Sequence, residues 1–149
     1  MALQVPPNST GQVIDTVTTA AGKERQVVTP PVSGQFNLVH TPAAAAQATI
    51  SQAAGAAGVR NVCSGIAFSL QTIGTIQPPI QVNLRDGVSG AGAILWSMTI
   101  GAAVSSLFAF AISGLNIQGS PATAMTLEIS AAPAAAASAS VSLQGYTTA

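Results

Sequence analysis

The residues able to do chemistry in this chain are few and scattered. Cys63 is the only thiol and His40 the only imidazole. The acids are Asp15, Glu24, Asp86 and Glu128, and the bases are Lys23, Arg25, Arg60 and Arg85. A nucleophilic cysteine needs a base within hydrogen-bond reach, and one would have to converge on Cys63 from elsewhere in the fold. A small buried or interfacial residue is the simpler reading. His40 has no Asp, Glu or Cys close in sequence to complete a metal set, so a surface or loop position is expected. General acid–base work on a glycosidic bond needs two carboxyls at a set separation, and no two acids here have useful local spacing. Arg85–Asp86 reads as a solvent-facing arginine beside a turn-capping aspartate. The Gly87–Gly92 stretch, GVSGAG, is glycine-rich, but it lacks the GxGxxG order and following helix of a dinucleotide turn, and the lysine of a phosphate-binding loop. The chain is therefore read as a non-enzyme, with no catalytic residue, cofactor or metal expected.

The bulk composition points the same way. A chain of 149 residues suits one domain with a real core. Only 5% of it is charged and the net charge is zero, against about 25% charged in ordinary soluble domains. Such a surface gains little from electrostatic repulsion. The expectation is a protein that works inside an assembly, with much of its surface covered. Four dispersed cations make no basic stripe, so nucleic acid is not an expected partner. The apolar stretches are short and broken by Gly, Ser and Pro, so no membrane span is expected. The start, MALQVPPNST, lacks the pattern of a secretory signal. A single cysteine excludes an internal disulfide and suits synthesis in a cytoplasm.

The elements that would position these residues are strands. The most legible stretch is Pro79 to Ile100. Ile80, Val82 and Leu84 share one parity and Gln81, Asn83 and Arg85 the other; after the Gly-rich turn, Ile94, Trp96, Met98 and Ile100 resume the alternation. Period two over such lengths predicts half-buried antiparallel strands. The same pattern predicts strands over 60–72, with Ile66, Phe68 and Leu70 inward, and over 107–112. It predicts another over 124–131, with Met125, Leu127 and Ile129 inward and Glu128 outward, and a last one over 138–146, with Val141 and Leu143 inward. Trp96 is expected between the sheets. Weaker candidates lie at 13–18, 25–29, 33–39 and 46–52; the last sits in an Ala-rich stretch that a short helix would also suit. Residues 73–77 and 101–106 read as loop and turn, and 115–121 as a bend or short edge segment. The fold expected is all-β, an antiparallel β-sandwich of jelly-roll-like form with 8–9 strands. Residues 1–22 would form an extended N-terminal arm with a short strand, and 23–149 the sandwich. Val13, Ile14, Val17, Lys23, Arg25 and Tyr146 are the candidate assembly contacts.

Four segments, RNVCSGIAFSL at 60–70, VNLRDGVSGAGAILW at 82–96, ISGLNIQGSPATAMTLEIS at 112–130 and SASVSLQGY at 138–146, together resemble a group of small structural proteins of tailed-bacteriophage virions. The likeness spans roughly residues 57–148. The opening DTVTTAAGKERQVV also resembles the start of small phage head or tail accessory proteins. What the resemblance implies is a non-enzymatic virion protein, made in the host cytoplasm and carried on the outer surface of the capsid. The preferred station is a decoration or cement protein that stabilises the shell. Its partners would be the major capsid protein and other copies of itself, with a homotrimer favoured. The alternative is a tail, neck or fibre-associated adaptor or a host-surface-binding module. No catalytic residue is carried over.

Overall fold

The computed structural model describes residues 15–18, 24–27, 33–71, 76–77, 79–101, 103–104, 107–131, 133 and 137–149. The chain divides into two units, 1–31 and 32–149. In the first, strand β1 (Asp15–Thr18) pairs antiparallel with β2 (Glu24–Val27), and Val17 stands opposite Arg25. Strand β2 thus has its ladder partner in the stretch expected as the arm. Val13, Ile14 and Lys23 lie outside the described residues.

The second unit is built on two four-stranded antiparallel sheets. Its strands are β3 (Ser33–His40), β4 (Thr49–Gln52), β5 (Arg60–Gln71), β6 (Ile76–Gln77), β7 (Ile80–Asp86), β8 (Ala93–Ile100), β9 (Ala103–Val104), β10 (Leu107–Gln118), β11 (Met125–Ile129) and β12 (Ser138–Thr148). One sheet runs β10-β5-β12-β3 and the other β4-β11-β7-β8, while β6 and β9 form a small ribbon. The sheets therefore hold eight strands. All four weaker candidates contain strands, and the segments expected as loop and turn supply β6 and β9. In the Ala-rich stretch, Thr49–Gln52 pairs with β11. A long-range ladder there overrides the helix propensity of alanine.

A single core joins the inner faces. It contains Ile66, Phe68 and Leu70 of β5, Ile80, Val82 and Leu84 of β7, Met125, Leu127 and Ile129 of β11, and Val141 and Leu143 of β12, all buried. Trp96 and Met98 of β8 are half-buried against it. The Trp96 ring stacks on Phe110 of the opposite sheet, with centroids 6.4 Å apart, within the range that favours aromatic pairs. Phe110 in turn meets Phe68 at 5.3 Å.

Two bulges change which residues reach this core. In β7–β8, Leu84 pairs with Trp96 but Arg85 pairs with Ile94, so Leu95 is the extra residue. The alternation shifts by one there. Leu95 packs on the core, and Ile94, expected inside, is 49% exposed. In β5, Gln144 pairs with Gly65 and Gly145 with Cys63, leaving Ser64 as the extra residue. Cys63 thereby joins the core although its sequence parity opposes that of Ile66.

Candidate functional site: a clasped loop and an uncharged sheet face

Glu128 projects from the outer face of β11, as alternation requires, yet it is only 1% exposed. The turn after β7 folds over it. The Arg85 Nε donates to Glu128 Oε1 at 2.5 Å, and the Ser89 hydroxyl and the Gly90 N–H donate to Oε2 at 2.5 and 2.8 Å. Arg85 also donates through Nη1 to the Gly92 carbonyl at 3.2 Å, so the arginine expected to face solvent holds both ends of the clasp. Gly92 sits at φ +85, and a Cβ there would lie 2.3 Å from the Asp86 carbonyl oxygen; only glycine closes this turn without strain. Asp86 accepts from the Ser120 N–H at 2.9 Å and from its hydroxyl at 2.6 Å. The Gly87 N–H donates to the Ala124 carbonyl, and the Thr126 hydroxyl to the Gly87 carbonyl. Both acids are spent on holding loops, and the Glu128 oxygens are already occupied by donors.

Burial by itself would raise the Glu128 pKa. The Ser89 hydroxyl, the Arg85 guanidinium and the Gly90 N–H outweigh it and hold the carboxyl below its ordinary value of 4.5. A carboxyl depressed by folding contributes stability that is present above its unfolded pKa and lost as pH falls through the folded one. Thermal stability should therefore decline as pH falls below the ordinary carboxylate range. The decline should be shallower in Glu128→Gln, measured as melting temperature against pH for both proteins.

In the sandwich unit, His40, Arg60 and Cys63 make other contacts. Among the described residues no group of three or more His, Cys, Asp or Glu could hold a metal ion. The His40 Nδ1 accepts the Thr49 N–H at 3.2 Å, linking β3 to the start of β4. The Arg60 guanidinium donates to the Gly119 carbonyl. Cys63 is fully buried, and burial pushes its thiol up to about 11 against a smaller opposing effect of the Gly65 carbonyl contact. Thiolate is the reactive form. In the native protein at pH 8, Cys63 should resist a thiol reagent such as DTNB, then react with one equivalent after denaturation. Rapid labelling of the native protein would contradict this burial.

The second feature is the outer face of the β10-β5-β12-β3 sheet. Across these four strands the only formally charged residue is Arg60, at the start of β5. One shallow depression of about 430 Å³ is lined by Ala67, Ser69, Ala109, Ala111, Ser140 and Ser142, together with Phe68 and Phe110. Another, of about 410 Å³, is lined by Gln35, Asn37, Ser64, Gln144 and Tyr146. The Tyr146 hydroxyl reaches Asn116 of β10 at 3.4 Å. Leu107 on one edge strand and Val39 on the other are 69% and 62% exposed. Of the candidate assembly contacts, Tyr146 belongs to this face. Its small residues are the alternate positions of FAFAIS and SASVS, between apolar residues that face the core.

No family model matches the chain, and no curated protein does. Among solved structures it is similar to the carbohydrate-binding module CsCBM6-3 from Clostridium stercorarium, whose structure is a complex with cellobiose. That likeness has 9% identity, covers 93% of this chain and 82% of that one, and has a TM-score of 0.32. It is also similar to a chain from Bacillus endospore appendages, which form disulfide-linked pili; here identity is 11%, coverage 80% and 98%, and the TM-score 0.25. At these TM-scores neither likeness bears on what this chain does.

Proposed function

We propose that the chain is a non-enzymatic structural protein of a phage virion, a decoration or cement protein that binds the outside of the capsid shell and other copies of itself. The observation that carries this reading is the exposed sheet face, four strands wide, that bears almost no charge. A surface meant for solvent is ordinarily rich in Lys, Arg, Asp and Glu, whereas the cores of protein interfaces are depleted in charge. The two acids of the sandwich, Asp86 and Glu128, are engaged in holding loops, which supports a scaffold rather than a catalyst. Many repeated contacts would stabilise a shell by mass action, since a partner that binds only the assembled state favours it.

The scaffold proposed is a jelly roll. Its eight sheet strands pair as nested antiparallel partners: β3 with β12, β4 with β11, β5 with β10, and β7 with β8. This is the pairing of a long hairpin wrapped into two sheets, as the jelly roll requires. The functional reading is tested on purified particles of the phage that encodes the chain. Mass spectrometry should find the protein in stoichiometric amounts, and cryo-electron microscopy should place it on the outer shell. Density on the tail, neck or fibres would move it to the adaptor role, and absence from the particle would overturn the reading.

A further inference from the structure

We infer that the outer face of the β10-β5-β12-β3 sheet is a self-association surface on which a second copy of this chain docks face to face, about a twofold axis. The inference rests on the assembly reading above and names the surface through which copies meet. The two outer faces of the sandwich are treated differently by the chain. On the β4-β11-β7-β8 sheet, the Ser89–Gly90 turn lies over Glu128 and Arg85. On the other sheet, Ala109, Ala111 and Ser113 are exposed and Ala67, Ser69, Ser140 and Ser142 half-exposed.

Three observations select a second copy as the occupant. The first is area. Four strands about 4.8 Å apart and about 11 residues long, at about 3.4 Å per residue, present a face of roughly 700 Å². That is close to the roughly 800 Å² per partner of stable complexes. The second is charge. A face whose centre carries no charge meets an identical face without repulsion there and leaves no ion buried unpaired at its centre, and the chain's net charge of zero adds no long-range repulsion between copies. A nucleic acid or an acidic surface would need cations that the centre of this face lacks. The third is shape. Leu107 and Val39 stand exposed on the two edge strands, and the Ala- and Ser-lined floor between them is depressed by about 430 Å³. Face-to-face packing gives each copy's exposed aliphatics a small-residue floor to bury against. Such an isologous contact closes at two copies, so the basic unit is a pair rather than the trimer expected from the proposed station.

Sedimentation of the full chain over a range of concentrations is the test. The wild type should run as a reversible dimer. Ala67→Arg and Ser142→Glu, paired positions on the two central strands, should weaken pairing at least about 100-fold, because the twofold places each new charge in the interface twice. Both should keep the wild-type circular dichroism spectrum, and either one folding normally is enough for the comparison. Gln81→Arg, on the outer face of the other sheet, should leave the dimer intact. A wild type that stays monomeric at every concentration, or a dimer unaffected by both substitutions, would overturn the inference. A dimer split only by Gln81→Arg would place the contact on the wrong sheet and overturn it equally. Particle composition is read independently: a dimer split as expected stands even if the chain is missing from virions, and the virion reading stands even if the free protein is monomeric.

Discussion

Replacing Glu128 with alanine is expected to destabilise the sandwich by about 3 kcal/mol, the lower end of what removing one partner of a buried ion pair costs. The lower end applies because the Arg85 side chain is 15% exposed and can recover some hydration, while that of Glu128 is 1% exposed. For a domain of this size the loss corresponds to a fall of about 10 °C in melting temperature. The cost has three sources: the ion pair itself, the Ser89 hydroxyl and Gly90 N–H left without an acceptor, and the space vacated beneath the turn. Glu128→Gln should cost less, about 1–2 kcal/mol, because an amide oxygen can still accept from one side while the charge is lost. The Arg85→Ala, Glu128→Ala double variant should show a coupling energy of about 1 kcal/mol or more, as residues sharing one network do. Hydrogen exchange provides a local readout: the Gly90 amide should lose protection in Glu128→Ala. If that amide keeps its protection and the melting temperature moves by less than about 3 °C, a change of about 1 kcal/mol at this chain length, then the clasp does not hold the turn.

A second large effect is expected at Gly145, in the last strand. Gly145 pairs with Phe36 of β3 on one side and Cys63 of β5 on the other. A Cβ there would lie 2.1 Å from the Val62 carbonyl oxygen and 2.5 Å from the Phe36 ring. The backbone oxygen cannot move aside as a flexible side chain can, so the central β12–β5 ladder must shift. Overpacking of this kind costs about 1–3 kcal/mol in ordinary cores and sometimes more. For Gly145→Ala we expect about 3 kcal/mol, read by denaturant or thermal unfolding. Shortening the ring in Gly145→Ala, Phe36→Leu should recover little, because the Val62 carbonyl remains in place. Full recovery in that double variant would show that the ring, and not the backbone, is the obstacle.

These two positions also mark how far local pattern reaches. The inward parity of Ile80, Val82 and Leu84, of Met125, Leu127 and Ile129, and of Val141 and Leu143 could be read directly, because side chains alternate along a strand whatever it pairs with. The scarcity of chemistry was equally plain, since it depends only on which residues exist. Ile94 was misread, and the parity of Cys63 did not show that it reaches the core, for one reason. A bulge adds a residue relative to the partner strand, and neither strand's own alternation records what its partner does. Gly145 looked like any glycine before an aromatic; its requirement comes from Val62, more than eighty positions away. The outward side of Glu128 was legible, but its burial was not, because alternation says which face a residue takes and nothing about what covers that face. The covering turn was in plain view as GVSGAG, and the acid it wraps lies 36 residues beyond Gly92. By itself, then, the sequence determined an all-β chain with a defined inner face and few residues able to do chemistry. Only the tertiary structure decided which outer face the chain covers with its own loop and which it leaves exposed, because that depends on ladder register and loop closure between residues far apart in the chain.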